Sequence, residues 1–437
     1  MQKITLDKNS KKLIILISFL LFITAFVVRF NFYIDTNIRK PLIGDAKYYV
    51  VYANNIVKNN TFSKEKINPK PDSFWSPGYP TFLAINLYIS EITGFDYYDT
   101  VVIFQMLLGS IVVVLTFLLG NMFLNFWWSL SAALLTIISP HLISYSIFLI
   151  TETLFSFLLL SGIYFFCSYL NKNRKYLLWL SGLIFGLAYL TNQVLFFYPL
   201  LIILLLAFFK KITLRKSIPF FLIYFIFVFS WSIRNSINVE EGSLDSSNRL
   251  LTNLVIGMHA DYHDIWRKNP RDPNNPADID LIKFNGSYSL FLETLADRIK
   301  NSPMHYLKWY FIEKPINLWG WEIAVGSFDV FVYPVITSPY HSNTLFKISH
   351  KVMKTVHYWL FLFSCLSLVL MVYYWKQTKV EVVLIIGSII YVSVVYVITQ
   401  ADSRYSVPLR PEMYLLAMYF LQICSIEYFK SQNKINS

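Results

Sequence analysis

Residues 101–124 read VVIFQMLLGSIVVVLTFLLGNMFL and contain no charged side chain. A run of roughly 20 apolar residues is long enough to cross the hydrocarbon core of a bilayer as a helix. Comparable runs recur at 13–34, 127–149, 150–170, 177–191, 194–209, 217–233, 356–375, 380–398 and 411–428. Hydrophobic residues make up 55% of the 437 and charged residues 15%, against about 25% charged in soluble proteins. The sequence therefore predicts an all-α polytopic membrane protein with roughly 10–12 transmembrane helices.

The range in the number of spans comes from two further segments, 79–93 and 309–334. Both are apolar and aromatic but are interrupted by proline, glycine or charge, so we interpret them as interfacial or re-entrant. The first apolar run continues into Arg29 without a small-residue cleavage site, which indicates a retained signal anchor. Cys167, Cys365 and Cys424 all fall in apolar runs, so we expect no disulfide framework.

The orientation of the chain follows from lysine and arginine in short segments. These residues cluster in the N-terminal tail, in the turns 171–176, 210–216 and 376–379, and in the tail 429–437. Such segments stay in the cytoplasm, and ten spans place all five on that side. The net charge of +12 is thereby explained by topology, and no nucleic-acid motif is present. The spans and loops form one membrane domain over 1–428, followed by a cytoplasmic tail at 429–437.

Two long loops, 35–100 and 234–355, are then extracytoplasmic. We expect interfacial helices in the first and a small subdomain in the second. The middles of the spans contain almost no charge, whereas Arg29, Glu152, Arg234, Asp402 and Arg404 lie near their outer ends. Ionisable residues inside a membrane usually mark ion or proton paths. Their placement at one interface argues against a proton-coupled transporter and favours a site at the level of the outer headgroups.

Asp45 stands in GDAKYY (44–49), in the first of these loops. Aspartate is a good helix N-cap, and a tyrosine-rich amphipathic stretch follows it, so a capping role is one interpretation. The other is a functional carboxylate beside the membrane. Glu152 has a similar ambiguity, because a carboxylate at a helix start is favoured by the helix dipole.

Five motifs together, in this order, resemble a known family. They are GDAKYY (44–49), SFWSPGYPTFLA (73–84), Thr151-Glu152, WSIRN (231–235) and SRYSVPLRP (403–411). The set is similar to the polytopic glycosyltransferases of the GT-C fold, in the family 39-like branch of lipid A aminoarabinose transferases and protein O-mannosyltransferases. The resemblance implies a GT-C-type bundle that transfers sugar from a polyprenyl-phosphate donor, with no cofactor. Protein mannosyltransferases typically carry an Asp-Glu pair where this chain has Asp45-Ala46, so the resemblance favours a lipid or glycan acceptor over a protein.

The resemblance implies that the first-loop carboxylate, Asp45, is essential, and we assign it as the general base. The functional interpretation of Glu152 is a second acidic group that positions acceptor or sugar hydroxyls. Arg234 and Arg404 are candidates for the donor phosphate, because guanidinium binds phosphate bidentately; the alternative for each is an interfacial anchor. We also assign Lys47, Tyr48, Tyr79, His259 and Tyr405 to substrate binding. Membrane lipids complete the expected partners.

His259 and His263 are spaced i, i+4 and could bind zinc on a helix. Proline-rich sequence follows them and no third spaced ligand is evident, so we predict no metal site. The activity expected overall is that of a glycosyltransferase in a bacterial inner membrane, with its site facing the periplasm. The alternatives are a lipid-linked glycan flippase, which needs a polar path through the midplane, and an O-antigen polymerase or ligase, which relies on arginines and not on Asp45.

Overall fold

The computed structural model describes residues 8–208, 210–240, 246–269, 272–323, 326–327 and 329–435, and these are mostly helical. The first half contains α1 (Lys8–Ile34), β1 (Asn37–Ile38), α2 (Gly44–Asn59), α3 (Gly78–Thr93), α4 (Tyr97–Gly120), α5 (Phe126–Ile138), α6 (Pro140–Ser144), α7 (Glu152–Lys172), α8 (Lys175–Thr191), a 3₁₀ turn (Gln193–Leu195), α9 (Tyr198–Phe208) and α10 (Leu214–Asn238). The second half contains α11 (Ser246–Met258), α12 (Tyr262–Lys268), α13 (Pro276–Phe284), α14 (Tyr288–Asn301), α15 (Pro303–Lys308), a π turn (Trp309–Glu313), α16 (Lys314–Leu318), β2 (Val335–Thr337), α17 (Pro339–Ser342), α18 (Thr344–Tyr373), α19 (Val380–Ile398), a 3₁₀ helix (Ser403–Leu409) and α20 (Arg410–Ile435).

The prediction of an all-α polytopic membrane protein is confirmed. Among the described residues, six helices are long and apolar enough to cross a membrane: Lys11–Ile34 of α1, and α4, α7, α10, α18 and α19. Shorter apolar helices cover Phe126–Ile138, Lys175–Thr191 and Gln193–Phe208. Helix α20 extends to Ile435, through most of the segment that we predicted as a tail.

The apolar run 127–149 is not one helix. Helix α5 ends at Ile138, and Ser139 is extended (φ −65°, ψ 112°) before α6 starts at Pro140. A residue before proline avoids the helical region because the ring collides with its backbone. The break leaves α5 with 13 residues and places the remaining apolar residues in α6 and in the turns before Glu152.

Helix α7 lies at the centre of the bundle and packs against α4 and α8. Small residues bring α7 and α8 close together: a Cβ on Gly162 would lie 3.0 Å from the ring of Phe185, and the Ser181 hydroxyl donates to the Gly162 carbonyl over 2.9 Å. Close approach at small residues is the usual way in which membrane helices associate.

The two long loops are joined to each other by backbone pairing. Strand β1 pairs antiparallel with β2, matching Asn37 with Thr337 and Ile38 with Val335. Just beyond the strands, the backbone N–H of Ala46 donates to the Tyr333 hydroxyl over 3.1 Å. The second loop therefore fixes the start of α2, where Asp45 lies.

Two of the turns that we predicted to be cytoplasmic, 171–176 and 376–379, lie at the same end of the bundle. Asn171 donates its side-chain amide to Glu381 over 2.8 Å, and the Lys379 ammonium donates to the Met122 carbonyl over 2.9 Å. Glu152 starts α7, which ends at Lys172, so about 30 Å of helix separates Glu152 from this end. At the opposite end of the bundle, Glu152 and Asp45 both contact Arg404.

Candidate functional site

Arg404 joins the two predicted catalytic carboxylates. Its Nη1 donates to Asp45 Oδ2 over 2.7 Å, and its Nε donates to Glu152 Oε1. The side chains of Arg404 and Glu152 are largely buried, whereas 32% of the Asp45 side chain is exposed. Burial alone would lower the pKa of Arg404, but Glu152 and Asp45 raise that pKa well above its ordinary value. The guanidinium therefore stays charged and separates two carboxylates that would otherwise repel each other.

Asp45 reaches this position because of the glycine before it. Gly44 has φ +53°, a conformation that glycine adopts without steric cost, and it starts α2. The N-cap residue of α2 is Ile43, which makes no side-chain cap bond. Asp45 lies in the first turn and its carboxylate bonds Arg404. It therefore does not have the capping role that was the alternative interpretation of the sequence.

The turn that carries Arg404 is held by its own side chains. Asp402 Oδ1 accepts from the Arg404 backbone N–H over 2.8 Å, at the start of the 3₁₀ helix. The Ser403 hydroxyl donates to the Glu322 carbonyl and the Ser406 hydroxyl donates to the Ser403 carbonyl. Short side chains that bond nearby backbone favour such tight turns, which explains the SRYS sequence at this point.

A cavity of about 840 Å³ opens beside the three charged residues. This volume is within the usual range for small-molecule sites. Asp45, Glu152, Arg404 and Tyr405 all line it. An aromatic wall from α8, α9, α19 and their flanking turns lines it as well: Tyr189, Phe196, Phe197, Tyr391 and Tyr396. Tyr405 stacks on Tyr396 with ring centroids 4.5 Å apart.

A second cation lines the cavity, and our sequence interpretation missed it. Arg249 of α11 lies over the Trp75 ring, 4.0 Å from its centroid. Within the described part of the chain Arg249 makes no ion pair. Its sequence context, SSNRLLTNL, is that of any amphipathic helix. Of the two partners, only Trp75 belongs to a motif, SFWSP, that the sequence indicated as functional.

Comparisons with known proteins agree with this architecture. Residues 76–233 match the family model described as dolichyl-phosphate-mannose-protein mannosyltransferase. The archaeal oligosaccharyltransferase AglB from Archaeoglobus fulgidus, solved with an inhibitory peptide and a dolichol-phosphate, is similar at 12% identity and a TM-score of 0.52, over 99% of this chain and 53% of that one. The apo form of the Archaeoglobus fulgidus oligosaccharyltransferase is similar at 14% identity and a TM-score of 0.51, over 96% of this chain and 52% of that one. The chain thus spans about half the length of these structures. No curated protein matches it.

The chain has the GT-C fold. Both the matching family and the similar structures belong to glycosyltransferases or oligosaccharyltransferases of this fold, so the resemblance found in the sequence is confirmed. The matched segment of this GT-C protein includes Glu152 but not Asp45, Arg234 or Arg404. Identities of 12% and 14% support the fold alone, so the roles of individual residues rest on the geometry of the site.

Arg234, predicted to bind phosphate, does not line the cavity of the GT-C protein. Its Nη1 donates to the Asp72 carbonyl over 2.6 Å and its Nη2 to the Phe62 carbonyl over 3.3 Å. The guanidinium also lies over the rings of Phe62 and Trp231. These contacts favour the alternative that we gave for Arg234, an anchor, which here attaches the first loop to α10.

Three other predicted substrate residues also lie away from the cavity lining. Lys47 is exposed, and Tyr48 points outward while its neighbour Tyr49 is buried and lines the cavity. Tyr79 is buried and donates to Gln105 over 2.8 Å. The structure therefore does not bring Lys47, Tyr48 and Tyr79 to the cavity, and their assignment to substrate binding stays a prediction.

His259 belongs to a separate polar cluster of the second loop. Its Nε2 lies 2.8 Å from Asp280 Oδ2, and Arg298 donates to the same carboxylate oxygen over 2.7 Å. This cluster joins the end of α11 to α13 and α14 and lies away from the cavity lining, so the assignment of His259 to substrate binding stays a prediction. No group of three or more His, Cys, Asp or Glu side chains in the described ranges is arranged to hold a metal ion.

Proposed function

We propose that this protein transfers a sugar from a polyprenyl-phosphate donor to a lipid or glycan acceptor at the outer face of a bacterial inner membrane. One observation carries the proposal. Asp45, Glu152 and Arg404 come from motifs more than 100 residues apart in the chain, yet they meet on one wall of a large cavity. This wall lies at the end of the bundle opposite to the lysine-rich turns.

The proposed step is a displacement at the anomeric carbon of the donor. The acceptor oxygen bonds to this carbon while the bond between the carbon and the phosphate oxygen breaks, with inversion. Asp45 takes the proton of the acceptor hydroxyl, which requires contact at about 3 Å in the reactive complex. Phosphate is already a good leaving group, so the other need is positive charge to stabilise it as it departs.

Arg404 and Arg249 are the cations that line the cavity in the described residues. Arg404 is shared between two carboxylates, whereas Arg249 makes no ion pair within the described chain and lies over the Trp75 ring. We therefore assign the larger share of phosphate binding to Arg249. Phosphate that also approaches Arg404 competes with Asp45 for the guanidinium. Glu152, with 5% of its side chain exposed, keeps Arg404 in place.

The aromatic wall provides a path for the prenyl chain. Phe197, at the start of α9, is 57% exposed on the outside of the bundle and also lines the cavity. Tyr391 of α19 stands next to it, since its hydroxyl accepts from the Phe197 backbone N–H over 3.2 Å. A chain that enters between α9 and α19 passes from lipid to the phosphate site over apolar and aromatic surface.

Transfer is tested with purified protein in liposomes that contain synthetic polyprenyl-phosphate sugars and a panel of glycolipid acceptors. We expect release of polyprenyl phosphate that requires acceptor and is lost in Asp45→Asn. Movement of intact donor across the bilayer without any release would refute the transferase and favour a flippase. Retained transfer in Asp45→Asn would favour the polymerase or ligase alternative.

Sidedness is tested separately by cysteine labelling in intact cells. Single cysteines at positions 60 and 265 should react with a membrane-impermeant reagent, and those at 173 and 213 should not. Labelling at 173 would contradict the outward orientation of the site without bearing on its chemistry.

A further inference from the structure

The segment Pro303–Leu318, made of α15, the π turn and α16, has two unlike faces. One face packs into the protein through Tyr306, Trp309, Lys314 and Leu318. The other face carries five large apolar side chains that are 53–75% exposed: Met304, Leu307, Phe311, Ile312 and Ile316. We call these five residues the apolar stripe. Single exposed apolar residues are ordinary, but a contiguous apolar patch marks a surface that binds something.

The depth of the apolar stripe is fixed by a hydrogen bond to a membrane span. The Lys314 ammonium donates to the Thr399 carbonyl over 2.7 Å. Thr399 directly follows α19, which ends at Ile398. The segment therefore lies where a span leaves the hydrocarbon core. Trp309 and Tyr310 are in the same segment, and aromatic residues with a polar atom are enriched at this level of a membrane.

The inner face of Pro303–Leu318 is attached to α11, the helix that carries Arg249. Trp309 Nε1 donates to the Gly257 carbonyl over 2.9 Å, near the end of α11. A Cβ on Gly257 would lie 1.7 Å from the Thr399 oxygen and 3.0 Å from Lys314 Nζ. Helices α11, α16 and α19 thus meet at a single point, with no room for a side chain between them. Thr399 itself lines the cavity.

We infer that Pro303–Leu318 is a membrane-docking element: its apolar stripe inserts into the outer leaflet, and its inner face holds α11, with Arg249, over the cavity. Lipid is the occupant that the surroundings favour. The stripe adjoins the end of a span whose own Val394 and Ile398 are exposed, so it continues an apolar surface that already faces lipid. Beside the stripe, the exposed Lys308 side chain pairs with Glu313 over 2.7 Å, so a polar edge borders the apolar stripe, as at the boundary between lipid tails and headgroups. The consequence for Arg249 rests on the proposed function, whereas the docking itself does not.

Docking is tested by fluorescence quenching, which needs no sugar transfer. The three native cysteines are replaced by alanine, and a bimane label is placed at Phe311→Cys in nanodiscs of phosphatidylethanolamine and phosphatidylglycerol with nitroxide-labelled lipid. We expect strong quenching at 311, and none at Asn274→Cys, a polar exposed turn of the same loop. Absence of quenching at 311 would overturn the inference. Energy transfer between labelled copies in place of lipid quenching would also overturn it, because the occupant would then be a second copy of the chain.

The link to α11 is tested by Trp309→Phe, which keeps an aromatic ring and removes the N–H that bonds Gly257. Hydrogen exchange of residues 246–258 in nanodiscs should become about fivefold faster, the effect of losing one ordinary hydrogen bond, while a label at 311 stays quenched. Trp127→Phe, at an exposed tryptophan of α5, is the matched control and should leave this exchange unchanged. Unchanged exchange in Trp309→Phe would overturn the proposed coupling. Neither measurement depends on activity, so their failure is distinct from failure of the transferase.

Discussion

Replacing Asp45 by asparagine separates chemistry from structure at the proposed site. The substitution keeps the size of the side chain and an oxygen that accepts from Arg404, and Arg404 retains its bond to Glu152. The loss of one charge at a side chain that is one-third exposed should lower the free energy of unfolding by only about 1 kcal/mol. The protein should therefore fold, insert and bind the donor.

The expected loss of activity is much larger than the loss of stability. Removing a general base costs about 10²–10⁴ in rate, which is about 3–5 kcal/mol in the activation barrier. Asp45→Glu keeps the base but shifts it by about 1 Å, and such a shift can cost 10²-fold. The assay is the initial rate of polyprenyl-phosphate release in liposomes, with melting temperature and donor affinity measured on the same preparations.

A matched control is available on the same side of the proposed membrane topology. Asp96 is a true N-cap, accepting from the Asp99 backbone N–H over 3.1 Å, and asparagine caps as well as aspartate. Asp96→Asn should leave transfer unchanged. A rate for Asp45→Asn within about threefold of wild type would refute the role of general base. A fall in activity matched by an equal fall in the folded fraction would refute it too, since Asp45 would then be structural.

Three further outcomes are expected. Arg249→Ala should raise the KM for the donor about tenfold or more, with Arg249→Lys intermediate because ammonium lacks the bidentate fork; equal KM values in steady-state kinetics would exclude Arg249 from phosphate binding. Arg234→Ala should leave that KM unchanged and lower the free energy of unfolding by about 2 kcal/mol, since its hydrogen bonds to the first loop are lost; a raised KM at unchanged melting temperature would restore the original prediction for Arg234. Burial lowers the pKa of Lys314 from 10.5 to about 7. Between pH 7 and 10.5 the unfolded chain therefore binds more protons than the folded protein, and the free energy of unfolding rises with pH. Lys314→Met should remove this rise between pH 7 and 9 in thermal unfolding, and an equal rise in both proteins would contradict the low pKa.

The two tyrosines of GDAKYY show where sequence interpretation reached its limit. Adjacent residues on a helix point about 100° apart, so only one of them can face a given cavity. Tyr49 is buried against Trp75 and lines the cavity, whereas Tyr48 is 43% exposed. We chose Tyr48, whereas Tyr49 lines the cavity, because the rotation of α2 depends on its packing against α3 and on the bond from Ala46 to Tyr333. Nothing local to the motif specifies either contact.

The arginines show the same limit over longer distances. Both Arg234 and Arg404 lie at the ends of spans, and a sequence pattern cannot distinguish a guanidinium that bonds loop carbonyls from one that bonds carboxylates. Arg249 could not have been predicted from its local sequence, because the position of its helix depends on distant contacts such as the junction of Gly257, Lys314 and Thr399.

The sequence by itself determined the membrane class, the approximate spans and the candidate carboxylates Asp45 and Glu152. It could do so because transfer into a bilayer is a property of each local apolar run, and because charge inside a span is costly enough to be confined to its ends. Only the tertiary structure decided that Arg404 pairs with both carboxylates, that Arg234 anchors a loop and that Arg249 faces the cavity. These outcomes depend on contacts between residues that are far apart in the chain, and such contacts are set by the packing of whole helices.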